Sequence, residues 1–203
     1  MGTVNLLDEN LMLWDRFRNG DSWAFSELMR LHYNDLYNYG SRFTKETELV
    51  KDCIQDLFLS LWKNRATINS TSFVKYYLLK SLRRMLKRAV GKKKYLLMPK
   101  EFAFENFFNA VPSAENAMIE LENISALARS VRKMLSNLSK RQQEVIYLRF
   151  YMDADVEEIA EITSLNRQSV YNLLHDGMKK LKKIAAQKDF QLSDLLSFKA
   201  LFL

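Results

Sequence analysis

Apolar residues recur three or four positions apart through roughly the first ninety residues, which is the spacing of amphipathic helices. The pattern predicts four helices: one from residue 6 to a stop at Asn19-Gly20, and others near 22–43, 46–64 and 72–90. Asp21 and Ser22 are N-cap candidates for the second helix. Its expected buried residues are Trp23, Phe25, Leu28, Met29, Leu31, Leu36, Tyr39 and Phe43.

The pattern breaks at residues 91–112, where Pro99 and Pro112 forbid a continuous helix. Because this stretch is also rich in apolar side chains, we interpret it as a domain linker that packs against something rather than a solvated tether. A long helix is expected over 113–136. Beyond it, "SKRQ" (139–142) and "DVEE" (155–158) are capping boxes that open two further helices.

The stretch "VEEIAEITSLNRQSVYNLLHDGMKKL" at 156–181 predicts two short helices joined at a corner, with Asn166 capping the second. On a helical wheel the second helix has one apolar face and one polar face. This is the helix-turn-helix design, in which the polar face reaches base edges in the DNA major groove. On pattern alone, an ordinary helical hairpin with a solvated face remains the alternative.

The composition supports an all-α fold. Five glycines and two prolines are too few for the frequent turns of sandwiches and barrels. We therefore predict two small helical domains, at 1–90 and 113–186, followed by an apolar tail at 187–203. We favour docking of the tail back on the protein over a partner or membrane surface.

The positive charge is concentrated in one segment. The whole chain has a net charge of +7, but residues 57–100 contain twelve basic residues and no acidic one. We call this segment the basic block. Because aromatic residues lie among its lysines and arginines, it suits single-stranded nucleic acid, where bases stack and phosphates pair with cations. A solvated helix face with core aromatics is the alternative.

Two motifs together resemble the extracytoplasmic-function (ECF) sigma factors. "DCIQDLFLSLW" (52–62) resembles the region 2 signature of this family, and "LSNLSKRQQEVIYLRFYMDADVEEIAEITSLNRQSVYNLLHDGMKKLKK" (135–183) resembles its region 4. The resemblance covers about 15–90 and 113–183 and implies a subunit that directs core RNA polymerase to promoters. Partners implied are the β′ clamp and β flap of the polymerase, promoter DNA, and an anti-sigma factor, often membrane-anchored.

Site residues follow from this resemblance. The β′ clamp would be contacted by Asp52, Gln55, Asp56, Phe58, Leu59 and Trp62, with Ile54 and Leu61 in the core. The corner 65–72, here named the corner loop, matches the loop that captures a flipped base of the −10 element. The next helix would hold the melted strand through Lys75, Tyr77, Lys80, Arg83, Arg84 and Lys87. Arg84 stands where the family usually has Asn.

In region 4 the resemblance implies −35 readers and phosphate contacts at Arg149, Arg167, Gln168, Tyr171, Asn172, His175 and Lys179. Two departures stand out. Asp176-Gly177 replaces a frequent Arg-Ala, which places an anion near the duplex and a poor helix former in the helix. The corner Asp153-Ala154-Asp155 lacks the usual glycine. Duplex contact is therefore expected to be weaker than is usual in the family.

Other classes find little support in the sequence. We expect no cofactor, no metal and no enzyme, because the two histidines lack neighbouring ligands and no nucleophile–base arrangement can be argued. We interpret Cys53 as a core residue. Without a signal peptide or a long apolar run, we expect a soluble cytoplasmic protein. The alternatives are a helix-turn-helix regulator that acts without polymerase, and a helical adaptor that binds RNA or acidic lipid.

Overall fold

The chain is all-helical over the residues that its computed structural model describes, namely 6–93, 131 and 133–186. It divides into two compact units, Met1–Pro99 and Lys100–Leu203. The predicted all-α fold is confirmed. Most of the predicted linker, most of the helix expected over 113–136, and the tail 187–203 lie outside the described residues, and the domain bounds stay predictions. Among the described helices, none is long and apolar enough to cross a membrane.

The first unit packs four helices around one apolar core. They are α1 (Leu6–Arg18), α2 (Ser22–Gly40), α3 (Thr47–Asn64) and α4 (Val74–Lys93). The largest fully buried side chains come from all four helices: Trp14, Phe17, Leu36, Tyr39, Ile54, Leu78, Leu79, Leu82 and Leu86. Asp21 caps α2 as expected, since its side chain accepts hydrogen bonds from the backbone N–H groups of Trp23 and Ala24.

Two residues expected in the core of α2 lie at the surface. Trp23 is 58% exposed and Leu31 is 45% exposed. The buried stripe instead passes through Ala24, Leu28 and His32, so it includes a histidine that the apolar pattern could not reveal. The helix also ends at Gly40, earlier than expected, although Phe43 is still buried.

The second unit contains a helical stretch at 133–136 followed by α5 (Lys140–Phe150), α6 (Val156–Thr163) and α7 (Arg167–Ala186). Both predicted capping boxes are present, at Ser139 and at Asp155. Ser164 ends α6 in the left-handed conformation, with φ 58°. The Asn166 side chain then accepts a hydrogen bond from the Ser169 backbone N–H at 2.7 Å, which confirms Asn166 as the cap of α7.

Candidate nucleic-acid interface

Helix α4 presents part of the basic block to solvent. Arg84, Lys87 and Arg88 are exposed, and Lys80 is half-buried. Lys75 is also half-buried, and its Nζ forms an ion pair with Asp35 of α2 at 2.9 Å. The absence of any acidic residue on α4 leaves this face strongly positive, as a nucleic-acid surface requires.

Arg83 does not lie on that face. Its side chain is only 7% exposed, so the expectation that it contacts a DNA strand is wrong for this conformation. Arg83 and Arg84 are neighbours on the helix and project about 100° apart, and here Arg83 turns inward while Arg84 stays exposed. Of the residues predicted to hold the melted strand, Lys75, Tyr77, Lys80, Arg84 and Lys87 remain candidates.

The aromatic residues of this region divide between core and surface. The ring of Tyr77, half-buried, packs edge-on against the buried Trp14 with 5.4 Å between centroids. Phe73, just before α4, is 52% exposed and lies 6.4 Å from the ring of Tyr76. Among the described aromatic residues of the basic block, Phe73 is therefore the most available to stack on a base, whereas the sequence alone did not show which of them is exposed.

A pocket of about 390 Å³ opens between α3, the corner loop and α4. Its lining combines apolar side chains, small polar groups and two arginines: Leu57, Ser60, Leu61, Asn64, Ile68, Tyr77, Ser81, Arg84, Met85 and Arg88. Apolar walls suit a planar base, and guanidinium groups suit a phosphate. The pocket therefore adds Asn64 and Arg88 to the residues that the sequence singled out.

The corner loop is attached to α1 by three hydrogen bonds. Trp14 Nε1 donates to the carbonyl oxygen of Asn69 at 3.0 Å, and Arg18 Nε donates to that of Ile68 at 2.7 Å. The Ser70 hydroxyl donates to Asp15 Oδ1 at 2.6 Å. This last hydrogen bond holds the pKa of Asp15 below its ordinary value. Three consecutive loop residues are thus fixed by one helix.

Helix α3 carries the predicted polymerase-binding residues. Asp52, Gln55 and Asp56 are exposed, and Leu59 is 60% exposed. Ile54 and Leu61 lie in the core, as expected. Together the exposed side chains form an acidic surface around one projecting leucine.

Phe58 and Trp62 differ from that surface. Phe58 is only 3% exposed and belongs to the core, so its expected place at the polymerase-facing surface is wrong. Trp62 is half-buried, with its ring 5.0 Å from Phe25 and under the Arg65 guanidinium at 4.5 Å. The Arg65–Trp62 contact is a cation–π interaction that also anchors the start of the corner loop.

Helix α7 exposes the predicted reading face. The predicted −35 readers of this helix and its predicted phosphate contact, Lys179, are all exposed; the readers are Arg167, Gln168, Tyr171, Asn172 and His175. The apolar face, with Val170 and Leu181 fully buried, packs against α5 and α6. The helix-turn-helix arrangement predicted from the sequence is therefore present in the second unit.

Some of these side chains already have partners within the protein. Gln168 Nε2 donates to Asn172 Oδ1 at 3.0 Å, and Arg167 lies 3.3 Å from Glu157 of α6. Arg149, on α5, donates from Nη1 to the carbonyl oxygen of Ala154 at 3.0 Å. The Gln168–Asn172 and Arg167–Glu157 contacts are exposed and therefore weak, so they would offer little resistance to a competing ligand.

Gly177 has a packing reason that the sequence did not show. The residue is buried on α7, and a Cβ added to it would lie 2.8 Å from Cδ1 of Ile146 on α5. Asp176 beside it is exposed. The glycine therefore permits the close approach of α7 to α5, while the aspartate still places a negative charge on the exposed side.

Cys53 is buried in α3, and burial raises the pKa of its thiol, with smaller contributions from Asp56 and Asp52. A thiol with a raised pKa is a poor nucleophile. No group of three or more His, Cys, Asp or Glu side chains that could hold a metal ion occurs in the described part of the chain.

Two family models match the chain, one in each unit. The model for sigma-70 region 2 matches residues 28–95, and the model for sigma-70 region 4 matches residues 128–181. The first covers most of α2 and all of α3 and α4, and the second covers α5, α6 and most of α7. The chain belongs to the sigma-70 family.

Known proteins agree with this assignment. The chain is 25% identical over 171 residues to the RNA polymerase sigma factor YlaC of Bacillus subtilis, covering 79% of this chain and 91% of that protein. The order of the two regions and this relative confirm the resemblance to ECF sigma factors and the predicted role in transcription initiation with RNA polymerase.

The fold is also shared with solved structures. The structure of CnrH in complex with the cytosolic domain of CnrY matches with a TM-score of 0.57 at 20% identity, over 89% of this chain and 99% of that one. RpoE in complex with the anti-sigma factor NepR, from Bartonella quintana, matches with a TM-score of 0.52 at 18% identity, over 81% and 98%. Helix α1 of this sigma factor lies before the segment that the region 2 model matches.

Proposed function

We propose that this sigma factor binds core RNA polymerase through α3, reads a −35 element through α7, and opens the −10 element through the corner loop and α4. The observation that supports the proposal is the presence, on one chain, of two different surfaces suited to DNA. One is an exposed polar helix face suited to a duplex groove, and the other is a basic helix beside a pocket suited to an extruded base.

The −10 step needs a site that favours unpaired bases. Extruding a base from the stack costs a few kcal/mol, which a pocket and a positive strand-holding face offset. The pocket lined by Asn64, Tyr77 and Arg84 would take the base, and Arg84, Lys87 and Arg88 would hold the phosphates. This function requires no catalytic residue, so we propose that the protein is not itself an enzyme.

The −35 step would use the N-terminal half of α7. Gln168 and Asn172 can pair bidentately with adenine, and Arg167 with guanine. Lys179 lies further along the same face, nearer the phosphates. Asp176 reduces the positive charge there, so the polymerase and the −10 surface would supply a larger part of the binding energy.

We further propose that an anti-sigma factor regulates this protein in the cytoplasm by covering its polymerase-facing surface. The support is the shared fold with CnrH and RpoE, each solved in a complex, the second with an anti-sigma factor. The exposed Leu59 among acidic side chains gives such a partner an apolar anchor. The same side chains would then serve polymerase and inhibitor in turn.

The decisive experiment is transcription from a template library in which the −35 and −10 elements are both randomised. Purified sigma factor and bacterial core polymerase are mixed with the library, and the transcribed templates are sequenced. We expect enrichment of one −35 and one −10 sequence that core polymerase alone does not produce. A folded protein that binds core polymerase and enriches neither element would overturn the proposal.

A further inference from the structure

The corner loop has little structure of its own. Residues 65–73 between α3 and α4 form only turns and bends, with no regular ladder of backbone hydrogen bonds. A segment of this kind samples several conformations unless other parts of the protein hold it. Residues 68–70 of the loop are held by α1, which lies before the segment matched by the region 2 model.

The contacts from α1 are directed at the loop backbone and at one loop hydroxyl. The donors Trp14 and Arg18 engage the carbonyl oxygens of Asn69 and Ile68, and Asp15 accepts from Ser70. Arg18 also pairs with Asp15 at 3.1 Å, so the two polar contacts support each other. Because two of these hydrogen bonds are made to backbone carbonyl oxygens, they restrain the backbone conformation at residues 68 and 69 directly.

The anchor itself is rigid. Trp14 is 0% exposed, and its ring packs against Phe17 at 5.1 Å and Tyr77 at 5.4 Å. Its indole N–H therefore points to one place, unlike a donor on a mobile surface side chain. Tyr77 is also part of the pocket lining, so the same indole supports the loop and one wall of the pocket.

We propose that Trp14, Asp15 and Arg18 are positioning residues that hold the corner loop in its base-capturing conformation, and thereby set how strongly the protein discriminates among −10 sequences. They act through residues 68–70 and do not contact the DNA. This inference rests on the proposed function of the corner loop.

The physical reason is preorganisation. A loop that is already ordered loses little entropy when it captures a base, and its contacts keep the geometry that distinguishes one base from another. A loosened loop adapts to several bases with similar free energies, so the preference flattens. The expected consequence of loosening is a loss of −10 specificity with an unchanged −35 preference.

The test uses the full chain with core polymerase on the randomised template library. Arg18→Met removes the donor to Ile68 at a similar side-chain length, and Arg16→Met is its matched control, since Arg16 lies on the same helix and pairs with Asp21 instead. We expect Arg18→Met to lower the ratio between the best and second-best −10 base about three- to tenfold. The −35 preference and the affinity for core polymerase of Arg18→Met, and the −10 profile of Arg16→Met, should match those of the wild type.

A second pair of variants separates positioning from stability. Trp14→Phe keeps an aromatic ring but removes the N–H donor, and Trp23→Phe makes the same change at an exposed site. Only Trp14→Phe should flatten the −10 preference. Circular dichroism checks that both variants are folded. Wild-type −10 profiles for both Arg18→Met and Trp14→Phe would overturn this inference alone. So would equal losses at −35 and −10, whereas no enrichment by the wild type would overturn the proposed function.

Discussion

A Cβ placed on Gly177 of α7 would lie 2.8 Å from the Cδ1 methyl of Ile146 on α5, closer than side-chain carbons approach in proteins. Cδ1 is the far end of the isoleucine side chain, so a small displacement can relieve one added methyl. A larger side chain would also meet Gln142, whose Cβ is 3.6 Å from the same position. The close packing of α7 on α5 in the helix-turn-helix unit therefore depends on a residue without a side chain at position 177.

From this packing we expect Gly177→Ala to change the free energy of unfolding by less than about 1 kcal/mol, because better helix propensity offsets the crowding. Gly177→Leu should destabilise by about 1–3 kcal/mol through overpacking. Urea unfolding measures both. Equal stability of the two variants would show that α7 does not approach α5 this closely.

Gly40 is a similarly crowded glycine in the first unit. A Cβ added to it would lie 2.7 Å from Cγ1 of Val50. The Val50 methyl is attached directly to a β-branched carbon and cannot rotate away cheaply. Gly40→Ala should therefore destabilise the protein by about 1–3 kcal/mol, more than Gly177→Ala does. A smaller loss than for Gly177→Ala in the same urea assay would contradict the argument.

The polymerase surface can be tested with side chains that the core does not need. Asp56→Arg combined with Leu59→Ala should weaken binding to core polymerase at least about tenfold, since a charge is reversed and an apolar anchor is removed. The unfolding free energy should stay nearly unchanged, because both residues are exposed. Affinity is measured by fluorescence titration with labelled sigma factor.

The control for this pair is Glu9→Arg, which makes the same charge reversal at an exposed site on α1. It should leave the affinity for core polymerase unchanged. Wild-type affinity in the Asp56→Arg and Leu59→Ala double variant would remove α3 as the docking helix. Phe58 is unsuitable for such a test, because truncating a core side chain lowers stability whatever the polymerase does.

Loss of a base-reading side chain and loss of a phosphate-contacting side chain on α7 should change DNA binding in different ways. Gln168→Ala should relax the base preference at one position of the −35 element, with a loss of about 1–3 kcal/mol of discrimination between bases. Lys179→Ala should weaken binding equally across sequences and reduce the salt dependence by about one phosphate contact. Library sequencing and salt titrations separate the two, and identical signatures for both variants would show that α7 does not enter the groove as proposed.

Local signals made much of this fold predictable. The capping boxes at Ser139 and Asp155 and the cap at Asn166 depend on residues three positions apart, so a short window contains the whole interaction. Apolar periodicity likewise located the helices. The polar face of α7 followed from the same periodicity, because its residues all lie on one side of the helix.

The remaining features depend on packing between distant segments. "DLFLSLW" does not reveal that Phe58 turns inward and Leu59 outward, since that depends on where α3 meets its neighbours. Arg83 and Arg84 are equivalent in the sequence, yet only Arg84 is exposed. The hydrogen bonds from α1 to the corner loop join residues 50 and 55 positions apart, a separation with no local signature.

His32 should make the stability of the protein depend on pH. The side chain is 7% exposed, and its Nε2 has no hydrogen-bond partner among the described residues. Burial lowers the pKa of His32 below its ordinary value; the nearby Asp35 opposes this shift and Lys75 adds to it. The folded protein therefore favours the neutral imidazole.

The direction of the effect follows from linkage. Above the ordinary pKa of about 6.5, His32 is neutral in both states and adds no penalty. As the pH falls below that value, the unfolded chain binds a proton first, and the free energy of unfolding decreases by up to about 1.4 kcal/mol per pH unit. The decrease ends once the pH has passed below the pKa of the folded state.

Urea unfolding between about pH 8 and about pH 5 measures this dependence. His32→Leu should remove it, because leucine fills a similar buried volume and does not titrate. His175→Gln, at the exposed second histidine, should retain the wild-type dependence. If His32→Leu and the wild type lose stability in parallel over this range, the imidazole of His32 does not stay neutral in the folded protein and another group controls the acid sensitivity.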